Sequence, residues 1–218
     1  MTAGGVATAN VVSVREAEAE PAADAMRLAV GLRTSSLEDS EDVGARIART
    51  IARGQHREAV GLCAREYGAA LGRLCQAFLG SQAEAEEAVQ ETLVAALDAF
   101  PQFRAEGSVK AFLYGIARRR CARALEQRTQ HDARARLARP LETSVGDASD
   151  LVMARQRAEK TRVALGALRP TEREAVLLRY QGGLSFREVA TACGCDEATA
   201  RKRVSRALAR LRETLADD

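Results

Sequence analysis

The chain of 218 residues contains no tryptophan, only five phenylalanines and three tyrosines, and four prolines. No stretch sustains a period-two alternation of β-branched residues, so a sheet-based fold is not expected. No apolar run approaches the roughly 20 residues a membrane span requires, so membrane insertion is not expected. Residues 1–30 lack a basic start followed by an apolar core, and no secretion signal is read there. Five cysteines, odd in number and scattered, make no disulfide framework. The cytoplasm is therefore the expected compartment. With two histidines and no glycine-rich phosphate loop, there is no nucleophile–base pair and no metal cluster. No catalytic residue, cofactor or metal is expected, and the chain is not read as an enzyme. Its length leaves room for one or two modest domains only.

What is abundant is alanine, leucine, arginine and glutamate, a mixture that favours helix throughout. The net charge of +3 is too small to announce a nucleic-acid partner, but its distribution is uneven. Residues 56–100 hold three basic against seven acidic residues, and residues 101–128 hold seven basic against two acidic. Separate faces for a protein partner and for DNA are the natural reading.

The pattern along the chain predicts an all-α fold of two small helical domains joined by a flexible linker. Residues 1–42 lack lasting periodicity and read as a disordered extension, with transient helix between Ala22 and Leu32. Val43, Ile47 and Ile51, spaced four apart, open a helical pattern. Helices are expected from His56 to Leu79, from Ala83 to Phe100 and from Ser108 to about Arg128, making a domain over residues 43–128. Residues 129–150, with Pro140 and Gly146, read as the linker. A second helical domain occupies residues 151–218. No internal repeat is present.

Two capping boxes punctuate the second domain: Thr171 with Glu174, and Ser185 with Glu188. The helix begun at Ser185 is short and ends at Cys193-Gly194-Cys195; another opens at Asp196. A short helix, a glycine turn and a longer helix outline a helix-turn-helix. On the last helix Ala200, Val204, Ala207, Leu208 and Leu211 share one arc. Thr199, Lys202, Arg203, Arg206 and Arg210 fall opposite, with Arg201 and Ser205 at the edge. Guanidinium forks suit guanine edges and phosphates in a major groove. DNA binding is the reading.

In the first domain the helix from Ala83 to Phe100 turns Glu84, Glu87, Glu91 and Asp98 away from an apolar face. Phe100, Phe103, Phe112 and Tyr114 then gather half of the aromatic residues. Arg104, Lys110, Arg118, Arg119 and Arg120 surround them. Rings beside cations suit unpaired bases, which stack while arginines hold the backbone. For Phe100 and Phe112 a core role is at least as well motivated. Gly115 and Ala122, small among arginines, would let DNA approach closely.

The run from Leu168 to Tyr180, with Gly183-Leu184-Ser185-Phe186-Arg187-Glu188-Val189-Ala190, resembles region 4 of bacterial sigma factors. Residues 84–93, 103–108 and 111–118 resemble region 2. Both regions with a short linker between them are similar to the extracytoplasmic-function group. The resemblance implies a transcription initiation factor. Its partners would be core RNA polymerase, through the clamp helices of the largest subunit and the flap region, and promoter DNA. It assigns Glu87, Gln90 and Glu91 to polymerase binding. Phe103, Arg104, Ser108, Lys110, Arg118, Arg119 and Arg123 fall to the minus-10 element, with a flipped base held by the loop from Arg104 to Ser108. Thr199, Arg201, Lys202, Arg203, Ser205 and Arg206 fall to the minus-35 element. Phe112 stands where the family usually has tryptophan, Arg119 for a common asparagine and Arg123 for a common aspartate. Such proteins are commonly held by an anti-sigma factor, and the free chain is expected to be a monomer. The sequence leaves open whether such a partner or the N-terminal extension regulates this one.

Two other readings compete. A conventional helix-turn-helix repressor or activator has no use for residues 83–128. A thiol or metal switch at Cys193 and Cys195 lacks the roughly four ligands a metal needs, and both cysteines read better as packing residues.

Overall fold

The computed structural model describes residues 37–105, 107–136 and 163–216, and no strand occurs among them. Helix α1 (Leu37–Ala52) starts six residues before Val43, the expected start, and packs on α2 (His56–Leu79). Gly80 ends α2 with a left-handed backbone, φ 73°, which lets its N–H donate to Gln76 O. Ser81 then opens α3 (Gln82–Ala99) by accepting from Glu84 N. Two residues therefore turn the chain, and α3 packs along α2. Leu71, Leu74, Cys75 and Phe78 of α2 share a core with Ala85, Ala88 and Ala96 of α3. Thr92, buried with them, donates its hydroxyl to Ala88 O at 2.6 Å.

A 3-10 turn (Phe100–Gln102) leads to α4 (Val109–Arg136), begun by Ser108, whose Oγ accepts from Ala111 N at 3.0 Å. Val109, Leu113, Tyr114, Ala117 and Cys121 close the core from α4. The helix runs eight residues beyond Arg128, the expected end. Residues 129–136 hold neither glycine nor proline to stop it.

The second block comprises helical residues 163–167, α5 (Pro170–Tyr180), α6 (Phe186–Cys193) and α7 (Glu197–Ala216). Of the two expected capping boxes, one forms. Ser185 Oγ accepts from Glu188 N at 3.2 Å, and Glu188 Oε2 accepts from Ser185 N at 2.9 Å. The Thr171–Glu174 box does not form. Pro170 takes the first helical position, where its missing N–H costs nothing, so Arg169 becomes the N-cap and Thr171 falls inside the first turn. Leu177, Leu178, Leu184, Val189, Val204 and Leu208 make this block's core. The blocks touch: α6 packs on α4, and α5 on α2. The expected extension up to residue 36, the expected linker from residue 137 to 150, and residues 151–162 of the expected second domain lie outside the described residues.

Candidate nucleic-acid interface

The presented helix is α7. Gly194 supplies the left-handed turn, φ 65°, and its N–H donates to Ala190 O and Thr191 O. Asp196 then caps α7, accepting from Thr199 N at 2.7 Å and Thr199 Oγ1 at 2.8 Å. These bonds hold the Asp196 carboxyl below the usual carboxylate range. Ala200, Val204, Ala207, Leu208 and Leu211 are buried. Opposite them Arg201, Lys202, Ser205 and Arg206 are exposed, while Thr199 and Arg203 are half-buried. Thr199 is thus committed to the cap. Arg201 is held from two sides, by Glu197 Oε1 at 2.7 Å and by the Phe186 ring, whose centroid lies 4.5 Å from its guanidinium carbon.

Arg210, expected on the same outward face, turns back instead. Its Nη1 lies 3.0 Å from Glu172 Oε2, an ionic contact rather than an aligned hydrogen bond. Glu172 is only 3% exposed, and a buried carboxylate demands a cation.

In the first block Phe103 is half-buried, edge-on to Phe112 at 5.1 Å, and Phe112 stacks on the buried Phe100 at 6.0 Å. The next residue, Arg104, is exposed, and Ala105 is left-handed at φ 54°, a strain of roughly 1 kcal/mol for a residue with a Cβ. Along α4, Arg119 is exposed, but Ser108, Lys110 and Arg118 all reach the second block. Gly115 is close to a backbone, as its small size predicts, but that backbone is α6. A Cβ there would stand 3.3 Å from Ala192 O.

Arg123 falls on a different site from the other expected minus-10 residues. It lines a groove of about 490 Å³ between α3 and α4, together with Glu84, Glu87, Glu91, Arg120 and Arg128. Arg120 lies 3.5 Å from Glu91, and Arg128 3.5 Å from Glu84. Such exposed pairs are worth about 0–1 kcal/mol and exchange readily for a partner's charges. Glu87, Gln90 and Glu91 are all exposed.

The sequence matches the family models for Sigma-70 region 2 over residues 63–131 and Sigma-70, region 4 over residues 158–211. It is 33% identical over 136 residues to the ECF RNA polymerase sigma factor SigC of Mycobacterium tuberculosis (strain CDC 1551 / Oshkosh), covering 60% of this chain and 70% of that protein. The chain belongs to the ECF sigma factors. SigD of Mycobacterium tuberculosis (strain ATCC 25618 / H37Rv) is 35% identical over 155 residues, covering 66% of this chain and 70% of that one. Among solved structures, CnrH in complex with the cytosolic domain of CnrY superimposes with a TM-score of 0.62 at 24% identity, covering 81% of this chain and 99% of that one. RpoE in complex with the anti-sigma factor NepR, from Bartonella quintana, gives 0.53 at 27% identity, over 71% and 96%.

Two cysteines of this sigma factor meet, Cys75 of α2 and Cys121 of α4 sharing a thiol hydrogen bond inside the core. Cys63, Cys75 and Cys121 are buried, and Cys193 and Cys195 half-buried, all as free thiols. Burial pushes the Cys193 thiol up to about 11, away from reactivity at neutral pH. No group of three metal-ligating side chains occurs among the described residues, and no described helix is long and apolar enough to cross a membrane. Glu174, read from the sequence as the capping partner of Thr171, pairs instead with Arg118 at 2.9 Å, a contact that sequence reasoning missed. Such reasoning also missed Phe186, whose ring meets Arg179 at 4.9 Å as well as Arg201. The signal for Glu174 was Pro170, which displaces the cap; for Phe186 there was none without tertiary placement.

Proposed function

We propose that this sigma factor brings core polymerase to promoters whose minus-35 element is read by α7 and whose minus-10 strand is taken up by region 2. Lys202, Arg203, Ser205 and Arg206 enter the major groove, with Arg201 held near its edge and Thr199 fixing the helix start. Phe103, Arg104, Lys110, Arg118 and Arg119 receive the unpaired minus-10 strand, and Ser108 shapes the base pocket. The acidic face of α3, through Glu87, Gln90 and Glu91, meets the polymerase clamp helices; its charges steer docking more than they supply affinity. We assign Arg123 to this second face. An anti-sigma factor, as bound by the Bartonella quintana relative, is a further expected partner.

The observation that carries this reading is the exposed row Lys202, Ser205 and Arg206 on the second helix of a helix-turn-helix whose apolar face is wholly buried. A solvated basic face needs no such turn beneath it. Run-off transcription with purified core polymerase on genomic fragments tests it. Discrete start sites preceded by two shared elements support it, and unselective initiation contradicts it.

A further inference from the structure

One ring joins the helices of region 4 at the edge of the reading face. Phe186 opens α6 directly after its cap, Ser185, and is half-buried. Two guanidinium groups lie over its ring. The guanidinium carbon of Arg179, from α5, stands 4.9 Å from the ring centroid, and that of Arg201, from α7, 4.5 Å. The electron-rich face of a ring attracts each cation, while the two cations repel each other. An oxygen steadies each of them: Arg179 Nη1 donates to Leu184 O at 2.8 Å, and Arg201 Nη2 to Glu197 Oε1 at 2.7 Å. The two arginines differ in reach. Arg179 is half-buried, its Nε enclosed without a hydrogen-bond partner, whereas the Arg201 side chain is 48% exposed.

In a helix-turn-helix the first helix crosses the DNA backbone while the second reads base edges. Here those helices are α6 and α7. Arg201 leans on the first residue of α6, which the exposed Arg187 follows in sequence. It therefore stands on the backbone side of the exposed row Lys202, Ser205 and Arg206. We propose that Phe186 is a positioning residue, holding Arg201 for a phosphate at the flank of the minus-35 duplex and not for a base edge. The inference rests on the minus-35 reading of α7. A guanidinium already stacked on a ring loses little freedom on meeting a phosphate, and its planar fork donates to two phosphate oxygens at once. Those oxygens replace the Glu197 carboxylate, and the ring keeps the group in place.

The test is fluorescence anisotropy with the full chain at several salt concentrations. The probes are the labelled minus-35 duplex of a promoter found by run-off and a scrambled duplex of equal length. Arg201→Ala is expected to weaken both duplexes alike, roughly five- to tenfold, and to make the slope of log K against log salt shallower by about 0.9. Phe186→Leu keeps every charge, so a loss of roughly threefold at unchanged slope is expected, with Phe186→Tyr restoring binding. In the Arg201→Ala background Phe186→Leu is expected to cost nothing more. Phe186 also packs on the region 4 core, and a ring that does only that costs the same in both backgrounds; this result overturns the proposal. So does an Arg201→Ala chain that loses affinity for the minus-35 duplex alone, the mark of a base contact. If Phe186→Leu loses helix by circular dichroism, Arg201→Lys decides, because it keeps the charge without the stacking plane. About a threefold loss at unchanged slope is then expected, and no loss overturns the proposal. A wild-type chain that binds both duplexes equally sinks the minus-35 reading instead, and the cycle between Phe186 and Arg201 still decides the phosphate contact.

Discussion

Arg206 and Arg210 sit one helical turn apart on α7 and have different tasks. Arg210 answers a buried carboxylate, so Arg210→Ala leaves Glu172 charged without its cation. Because Arg210 itself is 39% exposed, water softens the loss. A destabilisation of about 2 kcal/mol is expected, below the 3–5 typical of a fully buried pair. Urea unfolding of the chain measures it, and a change under about 0.5 kcal/mol would mean that Glu172 finds another partner. Arg206 is exposed, and its truncation leaves the fold intact. Arg206→Ala is expected to weaken minus-35 binding by roughly 1–3 kcal/mol. A footprint titration unchanged by the substitution removes Arg206 from the reading set.

At the scale of elements, Glu188 ties three parts together. It completes the cap of α6, accepts from Ser108 of region 2, and stands near Lys110. Burial works to raise its carboxyl, but hydrogen bonds from Ser108 and Ser185, with the Lys110 ammonium, outweigh it and hold the group below the usual carboxylate range. A carboxyl depressed on folding stabilises the fold above its unfolded value, and that stability is lost as pH falls through the depressed one. Thermal unfolding between about pH 6 and about pH 3 is expected to lose stability faster in the wild type than in Glu188→Gln. Parallel profiles would contradict the assignment.

The same elements mark how far the sequence is legible. The Ser185–Glu188 box, the Gly194 turn and the buried arc of α7 follow from local spacing, and all are present. The Thr171–Glu174 box has the same spacing, yet Pro170 wins because its ring presets the first helical position. Gly115 was legible as a site of close approach but not as to what approaches. Arg123 shows the same limit: periodicity groups it with Arg119, and only the packing of α3 on α4 places it beside Glu87 and Glu91. Long-range partners are invisible to a pattern that repeats every 3.6 residues.

Across the whole molecule, the two regions divide one task. On the function proposed, region 4 presents cations to duplex DNA, and region 2 presents acid to protein on α3 and, beneath α6, donors suited to an unpaired strand. Neither carries out chemistry in this account; opening a promoter follows from holding polymerase, duplex and single strand at once. The direct measurement is the fluorescence of 2-aminopurine placed in the minus-10 element of a promoter found by run-off. Core polymerase with this chain is expected to raise it, the chain alone or core alone to leave it dark, and Glu87→Lys with Glu91→Lys to abolish the rise while retaining minus-35 duplex binding. A chain that binds the duplex yet never unstacks the minus-10 bases in the presence of core would contradict the account.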